Sequence, residues 1–127
     1  MRERRRHLRF HADWAAAFLA QGRMTLAGQA QVRDVSREGI GLATPQQLVA
    51  GDRVELTVEV PGDHIPILAS GEVAWVAAET AAFGAGVRFS RVDPLDLARM
   101  LGRLQAQWLT REEASPRASA QWLGGLS

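Results

Sequence analysis

The pattern that most constrains the fold lies at residues 53 to 75. Apolar and polar residues alternate there with period two, which is typical of a strand with one buried face. A first run is followed by a turn at residues 61–63 and by a second run that keeps one parity. The pattern predicts an antiparallel hairpin. Its inward residues are Val54, Leu56, Val58 and Val60 in the first strand, and Ile65, Ile67, Ala69, Gly71, Val73 and Trp75 in the second.

Shorter segments on either side favour further strands. Residues 13–20 contain four alanines and have a helical propensity, but their context favours a strand. Residues 24–34, 40–44 and 83–89 read as strands separated by glycine-containing turns. Gly84 and Gly86 indicate a bulge or the close approach of another backbone. Several short strands predict a mostly β fold, a small antiparallel barrel or sandwich.

One amphipathic helix is predicted over residues 94–109. Asp93 is suited to cap its first turn and Pro94 to occupy its first position. An apolar stripe then follows at helical spacing, and we expect it to close one end of the barrel. The stripe consists of Leu97, Leu101, Leu104 and Trp108.

Composition excludes several classes of function. The chain has 127 residues, enough for one core, and its 46% hydrophobic content is ordinary for a globular domain. Cysteine is absent and the three histidines are scattered, so we expect no metal site and no cofactor. No apolar run is long enough to span a bilayer and no secretory leader is evident, which predicts a cytoplasmic protein.

Positive charge is concentrated at the amino terminus. The first ten residues contain five Arg and one Glu, whereas the net charge of the whole chain is only +1. Arg4, Arg5, Arg6 and Arg9 form an arm whose guanidinium groups can grip phosphates, stack on purines or pair with a guanine edge. A solvated basic terminus or a nucleic-acid tail is the alternative interpretation of such a run.

A second polar segment, DVSREG at residues 34–39, has the chemistry to read a guanine. Period two would place Asp34 and Ser36 on one face, where a carboxylate can accept the N1 and N2 hydrogens that adenine lacks. Gly39 would let the chain reverse with positive φ or let a ligand approach the backbone. Ordinary turn chemistry, in which Asp34 or Ser36 bonds nearby amides, is the alternative.

Together the two segments resemble the signature of the PilZ domain family, RxxxR followed by DxSxxG. Arg5 and Arg9 match the arginine pair, and Asp34, Ser36 and Gly39 match the second motif, with no signature position substituted. The resemblance implies a six-stranded antiparallel PilZ-like β-barrel with a C-terminal α-helix. It also implies cyclic di-GMP, a bacterial second messenger, as ligand. An additional Arg before RxxxR, here Arg4, is associated in the family with an intercalated ligand dimer.

We therefore predict a non-enzymatic cyclic di-GMP sensor that changes conformation on binding and signals to a partner protein. The predicted organisation is an arginine-rich arm at 1–12, a barrel with its helix at 13–110 and a flexible tail at 111–127. A PilZ-fold interaction module that binds no nucleotide and, less favoured, a nucleic-acid binder remain alternatives. The sequence shows no nucleophile that is paired with a general base and placed for catalysis.

The aromatic residues receive separate predictions. Trp75 has the parity of a core residue, but some PilZ domains place a Trp near this position against a guanine, so both roles stay open. Trp14 and Trp108 are predicted to lie in the core, and Trp122 to dock the tail. His7 and His11 flank the arm and are candidates for phosphate contact.

Overall fold

The structure is a computed structural model that describes residues 9–22 and 24–114, with side chains described as far as residue 107. Six strands and one helix follow one another along the chain. They are β1 (Phe10–Gln21), β2 (Thr25–Val35), β3 (Gly39–Thr44), β4 (Arg53–Val58), β5 (Ile67–Ala78), β6 (Phe83–Val92) and α1 (Pro94–Ala114).

The strands close into one antiparallel barrel in the order β1-β2-β3-β6-β5-β4. Strand β1 completes it by pairing with β2 on one side and with β4 on the other. This double pairing explains why the alanine-rich segment is a strand despite its helical propensity, since tertiary hydrogen bonding outweighs a weak local preference. The predicted fold class, a six-stranded antiparallel barrel with a C-terminal helix, is confirmed.

The barrel interior is a single apolar cluster to which every strand and the helix contribute. Period-two alternation places the apolar side chains there, because alternate side chains of each strand point inward. Trp14 lies in this core with 2% exposure, as predicted. Other members are Phe18, Val32, Val35, Ile40, Leu42, Leu56, Ile67, Val87, Met100 and Leu104.

Helix α1 begins as the sequence predicts. Asp93 Oδ1 accepts a hydrogen bond of 2.8 Å from the Leu95 amide, and Pro94 is the first helical residue. Leu104 and the more deeply buried Met100 pack into the core, whereas Leu97 and Leu101 are half-buried against it. The side chains of Trp108 and Trp122 lie outside the described residues.

The helix runs to Ala114 instead of stopping at residue 109. Residues 110–114 include no glycine or proline, and Pro116 is the first strong helix breaker after them.

Arg99 connects the helix to the β4–β5 connection by donating hydrogen bonds to the carbonyl of Ile65 at 2.8 Å and to Asp63 at 3.3 Å.

The β4–β5 hairpin is confirmed, but the predicted second strand starts too early. Strand β5 begins at Ile67, and Ile65 is 70% exposed. Pro66 explains the difference, since it has no amide hydrogen to donate to the neighbouring strand.

At the amino-terminal end, β1 begins at Phe10, so residues 10–12 of the predicted arm lie in a barrel strand.

Candidate functional site

Arg9 and Asp34, which belong to two separate sequence motifs, form an ion pair on the outside of the barrel. Strand pairing brings them together, because Phe10 lies opposite Val35 and His11 opposite Asp34. Arg9 Nη1 donates to Asp34 Oδ1, a charge-assisted bond between residues 25 apart in the chain. The side chains are 22% and 29% exposed, so both are accessible from solvent.

Arg9 has donor capacity beyond this bond. Its Nε is buried and has no hydrogen-bond partner within residues 9–22 and 24–107. A buried donor without an acceptor is unfavourable, and an arginine offers five N–H groups in a rigid fork. Since the side chain is 22% exposed but Nε is buried, the Nη groups of the guanidinium are the ones suited to take a further acceptor oxygen.

A bulge in β2 sets the direction of Asp34. The register with β3 shifts between Val32 and Asp34, so Val32 and Val35 both point into the core while Arg33 and Asp34 between them both face outward. The Asp34 carboxylate lies over Gly41 of β3. A Cβ atom on Gly41 would stand 2.7 and 2.9 Å from its two oxygens, so only glycine leaves this space.

Ser36 performs the turn chemistry that the sequence left as an alternative. Its Oγ accepts from the amides of Glu38 at 3.1 Å and Gly39 at 3.3 Å, and its own amide donates to the Gly39 carbonyl at 2.9 Å. It is 2% exposed, whereas the prediction placed it beside Asp34 on an open face. The reason is that β2 ends at Val35, where period two stops applying.

Gly39 does not reverse the chain with a positive φ. Within the described residues, only Gly51 and Gly62 adopt one. Gly39 instead begins β3 opposite Arg88 of β6, where a Cβ would overlap the carbonyl oxygen of Val87. Close contact between two backbones is what requires glycine here.

Three glycines of β3 and β6 lie beneath outer side chains next to Asp34, and we call them the glycine floor: Gly41, Gly84 and Gly86. Gly41 pairs with Gly86 across β3 and β6, and Gly86 pairs with Trp75 of β5. A row across four strands thus runs from the Asp34 carboxylate over two glycines to Trp75. The sequence suggested a bulge or another backbone over Gly84 and Gly86, but side chains are what lie over them.

Trp75 lies on the outer surface, so its predicted place among the inward-facing residues of this strand is wrong. A second bulge, between Val73 and Trp75 in the pairing with β6, places Ala74 and Trp75 both outside. The indole is 49% exposed and lies over Gly86, where a Cβ would be 2.5 Å from its Cε2. An exposed indole over a glycine offers a flat surface for stacking.

Sequence reasoning missed a second arginine–carboxylate pair at the other edge of the glycine floor. Arg33 donates to both oxygens of Glu79, at 2.8 and 2.6 Å, across 46 residues of sequence. Glu79 lies in the β5–β6 turn, and its Oε2 is 2.5 Å from the Cβ position of Gly84. The hydrogen bonds from Arg33 lower the pKa of Glu79, and the same bonds raise the pKa of Arg33.

Several predicted residues fall where the structure gives no description. Arg4, Arg5, Arg6 and His7 precede the described residues, so Arg9 is the one arginine of the predicted site that the structure places. His11 is exposed on β1 next to Asp34. The described residues include no group of three or more His, Cys, Asp or Glu side chains able to hold a metal ion. None of their helices is long and apolar enough to cross a membrane.

This arrangement has the chemistry of a site for a nucleobase with phosphate. The carboxylate of Asp34 accepts hydrogen bonds, the guanidinium of Arg9 donates them to oxygen, and the Trp75 indole presents an aromatic face. The glycine floor lets the side chains of Asp34 and Trp75 lie close to the backbone, where they line one surface.

Solved structures show the same fold at low sequence identity. The inhibitor of motility of Bacillus subtilis (MotI/DgrA) superposes with a TM-score of 0.67 at 15% identity, covering 85% of this chain and 53% of that one. The PilZ domain of YcgR from Escherichia coli with c-di-GMP gives 0.66 at 19% identity, covering 88% and 98%. The MrkH–c-di-GMP complex of K. pneumonia gives 0.56 at 14% identity, covering 92% and 56%.

The chain therefore spans about half the length of the B. subtilis and K. pneumonia proteins. No curated protein matches it by sequence. A family model does match, that of the PilZ domain, and it covers residues 3–106. This range includes both sequence motifs, all six strands and most of the helix, and on this evidence the chain belongs to the PilZ domain family.

Proposed function

We propose that this protein is a cyclic di-GMP receptor. The observation that carries the proposal is the Arg9–Asp34 pair, which joins the two halves of the family signature on one outer face of the barrel. Two of the similar structures, those of YcgR and MrkH, contain c-di-GMP. PilZ proteins act as ligand-binding receptors rather than enzymes, and we propose the same for this chain.

The two charged residues divide the recognition of the ligand between them. The Asp34 carboxylate accepts the N1 and N2 hydrogens of one guanine, a paired contact that adenine does not offer. Arg9 donates to phosphate or to guanine O6 and N7. The pair exists before the ligand arrives, so both groups are already oriented and less side-chain entropy is lost on binding.

Other predicted residues complete the proposed site. Arg4, Arg5 and Arg6 add charge that attracts the phosphates, and Arg4 is the residue that would favour an intercalated ligand dimer. Trp75 stacks on a purine. Ser36 and Gly39 act indirectly, since they shape the turn that follows Asp34. Binding of the ligand by these arginines then changes the surface offered to a downstream protein.

Calorimetric titration with cyclic di-GMP tests the proposal. Wild type should bind, and Arg9→Ala and Asp34→Ala should each bind about ten- to a hundredfold more weakly, since each loses a charged hydrogen bond. Cyclic di-AMP should bind poorly, because adenine has no N1 and N2 hydrogens to donate to Asp34.

A matched control is Arg53→Gln, which removes an exposed arginine from β4 on another part of the barrel. This variant should bind like wild type. Absence of binding by folded wild-type protein would refute the proposal and favour the interaction-module alternative. Equal affinity of Asp34→Ala and wild type would refute the assigned role of Asp34.

A further inference from the structure

We propose that Arg33 is a further ligand-binding residue. In the free protein Glu79 pairs with its guanidinium at the edge of the site, and on binding a ligand phosphate replaces Glu79 as the partner of Arg33. The inference rests on the proposed function and extends it to two residues outside the family signature. It concerns the ion pair that crosses from β2 to the β5–β6 turn.

The first argument is the direction of Arg33. In a regular strand Arg33 and Asp34 would face opposite sides, but the β2 bulge turns both outward, between the buried Val32 and Val35. Asp34 also contributes electrostatically to the raised pKa of Arg33. A guanidinium and a guanine-reading carboxylate are thus neighbours on one surface.

The second argument is distance. Asp34 lies over Gly41, and Glu79 lies over Gly84. Because Gly41 pairs with Gly86, Gly84 is its diagonal neighbour on β6, and such positions are about 7–8 Å apart. A ligand that contacts both Asp34 and Trp75 would therefore lie next to the Arg33 guanidinium.

The third argument is that the pair is well formed but exposed. Arg33 and Glu79 are 47% and 33% exposed, and ion pairs of this kind contribute little to stability because water competes for both groups. Glu79 belongs to a turn and not to the barrel core. A carboxylate at this edge repels an anionic ligand, and Arg33 compensates that charge. Exchange of the carboxylate for a phosphate would keep the guanidinium paired throughout.

Titrations of four variants with cyclic di-GMP test the inference. Glu79→Gln removes the charge that holds Arg33 and should tighten binding about two- to fivefold, the range that corresponds to a weak exposed pair. Arg33→Gln should weaken binding about tenfold or more. The double variant should bind more weakly than wild type but more tightly than Arg33→Gln alone, because it lacks the guanidinium and also the carboxylate whose repulsion Arg33 compensates.

The fourth variant is Glu55→Gln, a matched control. It removes the same charge from β4, where the Glu55 carboxylate accepts a hydrogen bond of 2.6 Å from the Ser70 hydroxyl and not from an arginine. It should leave affinity unchanged. Three results would each overturn this inference without affecting the proposed function. They are weaker or unchanged binding by Glu79→Gln, wild-type affinity of Arg33→Gln, and equal tightening by Glu55→Gln. Failure of wild type to bind would overturn the proposed function as well.

Discussion

Alanine at Gly39 and alanine at Gly41 should have opposite consequences, although both glycines lie on β3 two residues apart. At Gly39 the added methyl overlaps the carbonyl oxygen of Val87, a backbone atom held by strand pairing. At Gly41 it meets the end of the Asp34 side chain, at 2.7 to 3.0 Å. The first obstacle is fixed in the barrel wall, whereas the second is a side chain that can rotate away.

The magnitudes follow from these contacts. Overpacking against a fixed neighbour costs about 1–3 kcal/mol, so Gly39→Ala should lower the free energy of unfolding by that amount. At about 3–6 °C per kcal/mol, intermediate between smaller and larger domains, its Tm should fall by roughly 3–18 °C. Gly41→Ala should cost under about 1 kcal/mol of stability, because the ion pair that it disturbs is partly exposed.

Ligand binding should show the reverse order. Displacement of Asp34 removes a charged hydrogen bond worth about 1.5–3 kcal/mol, so Gly41→Ala should bind cyclic di-GMP about ten- to a hundredfold more weakly. Gly39→Ala, assayed well below its Tm, should lose less affinity. Thermal denaturation and calorimetry on the same samples separate the two effects. The reasoning would be refuted if Gly41→Ala melted as early as Gly39→Ala, or if it bound like wild type.

Three further predictions concern stacking, the helix and pH. Trp75→Ala should weaken binding by about 1–3 kcal/mol, roughly 5- to 150-fold, and Gly86→Ala should act in the same direction because its methyl displaces the indole. Calorimetry checks both, and wild-type affinity would exclude stacking by Trp75. Gly102→Ala should stabilise the protein by about 0.5–1 kcal/mol in urea unfolding, since Gly102 is an exposed helical residue with open space around its Cβ position. A loss of stability would contradict this. The Arg33–Glu79 bond stabilises the folded state above the ordinary Glu pKa of 4.5, and this contribution is lost as pH falls through the lowered pKa of Glu79. Thus Glu79→Gln should be slightly less stable than wild type at pH 7, and the difference should narrow as pH falls below 4.5. A difference in Tm that stays constant over this pH range would argue against that bond.

Sequence periodicity was sufficient for most of the fold, because a half-buried strand must alternate. It located the β4–β5 hairpin and the capped start of α1, and with family resemblance it gave the closed barrel. It failed at Trp75, where one extra residue in a bulge reverses the side that each following side chain faces. A bulge leaves no mark in composition, so a Trp with apolar parity reads as core.

The candidate site was only partly predictable for a related reason. Arg9 and Asp34 were identified from motifs, and strand pairing places them in contact. Arg33 stands next to Asp34 in sequence, yet period two assigns it to the opposite face. Its partner Glu79 is 46 residues away in a turn. The pair becomes visible only once the β2 bulge and the order of the strands are known.

Closure of the barrel restricts how any protein partner can be engaged. Every strand from β1 to β6 has a hydrogen-bonded neighbour on both sides, although β2 pairs with β3 only over residues 31–35 and β1 with β4 only over residues 16–21. Open edges are where extended peptides add as an extra strand and where sheets of separate molecules join. Within the described residues, backbone pairing with a partner is therefore confined to strand ends such as residues 25–30 of β2, and along the fully paired stretches a partner must recognise side chains.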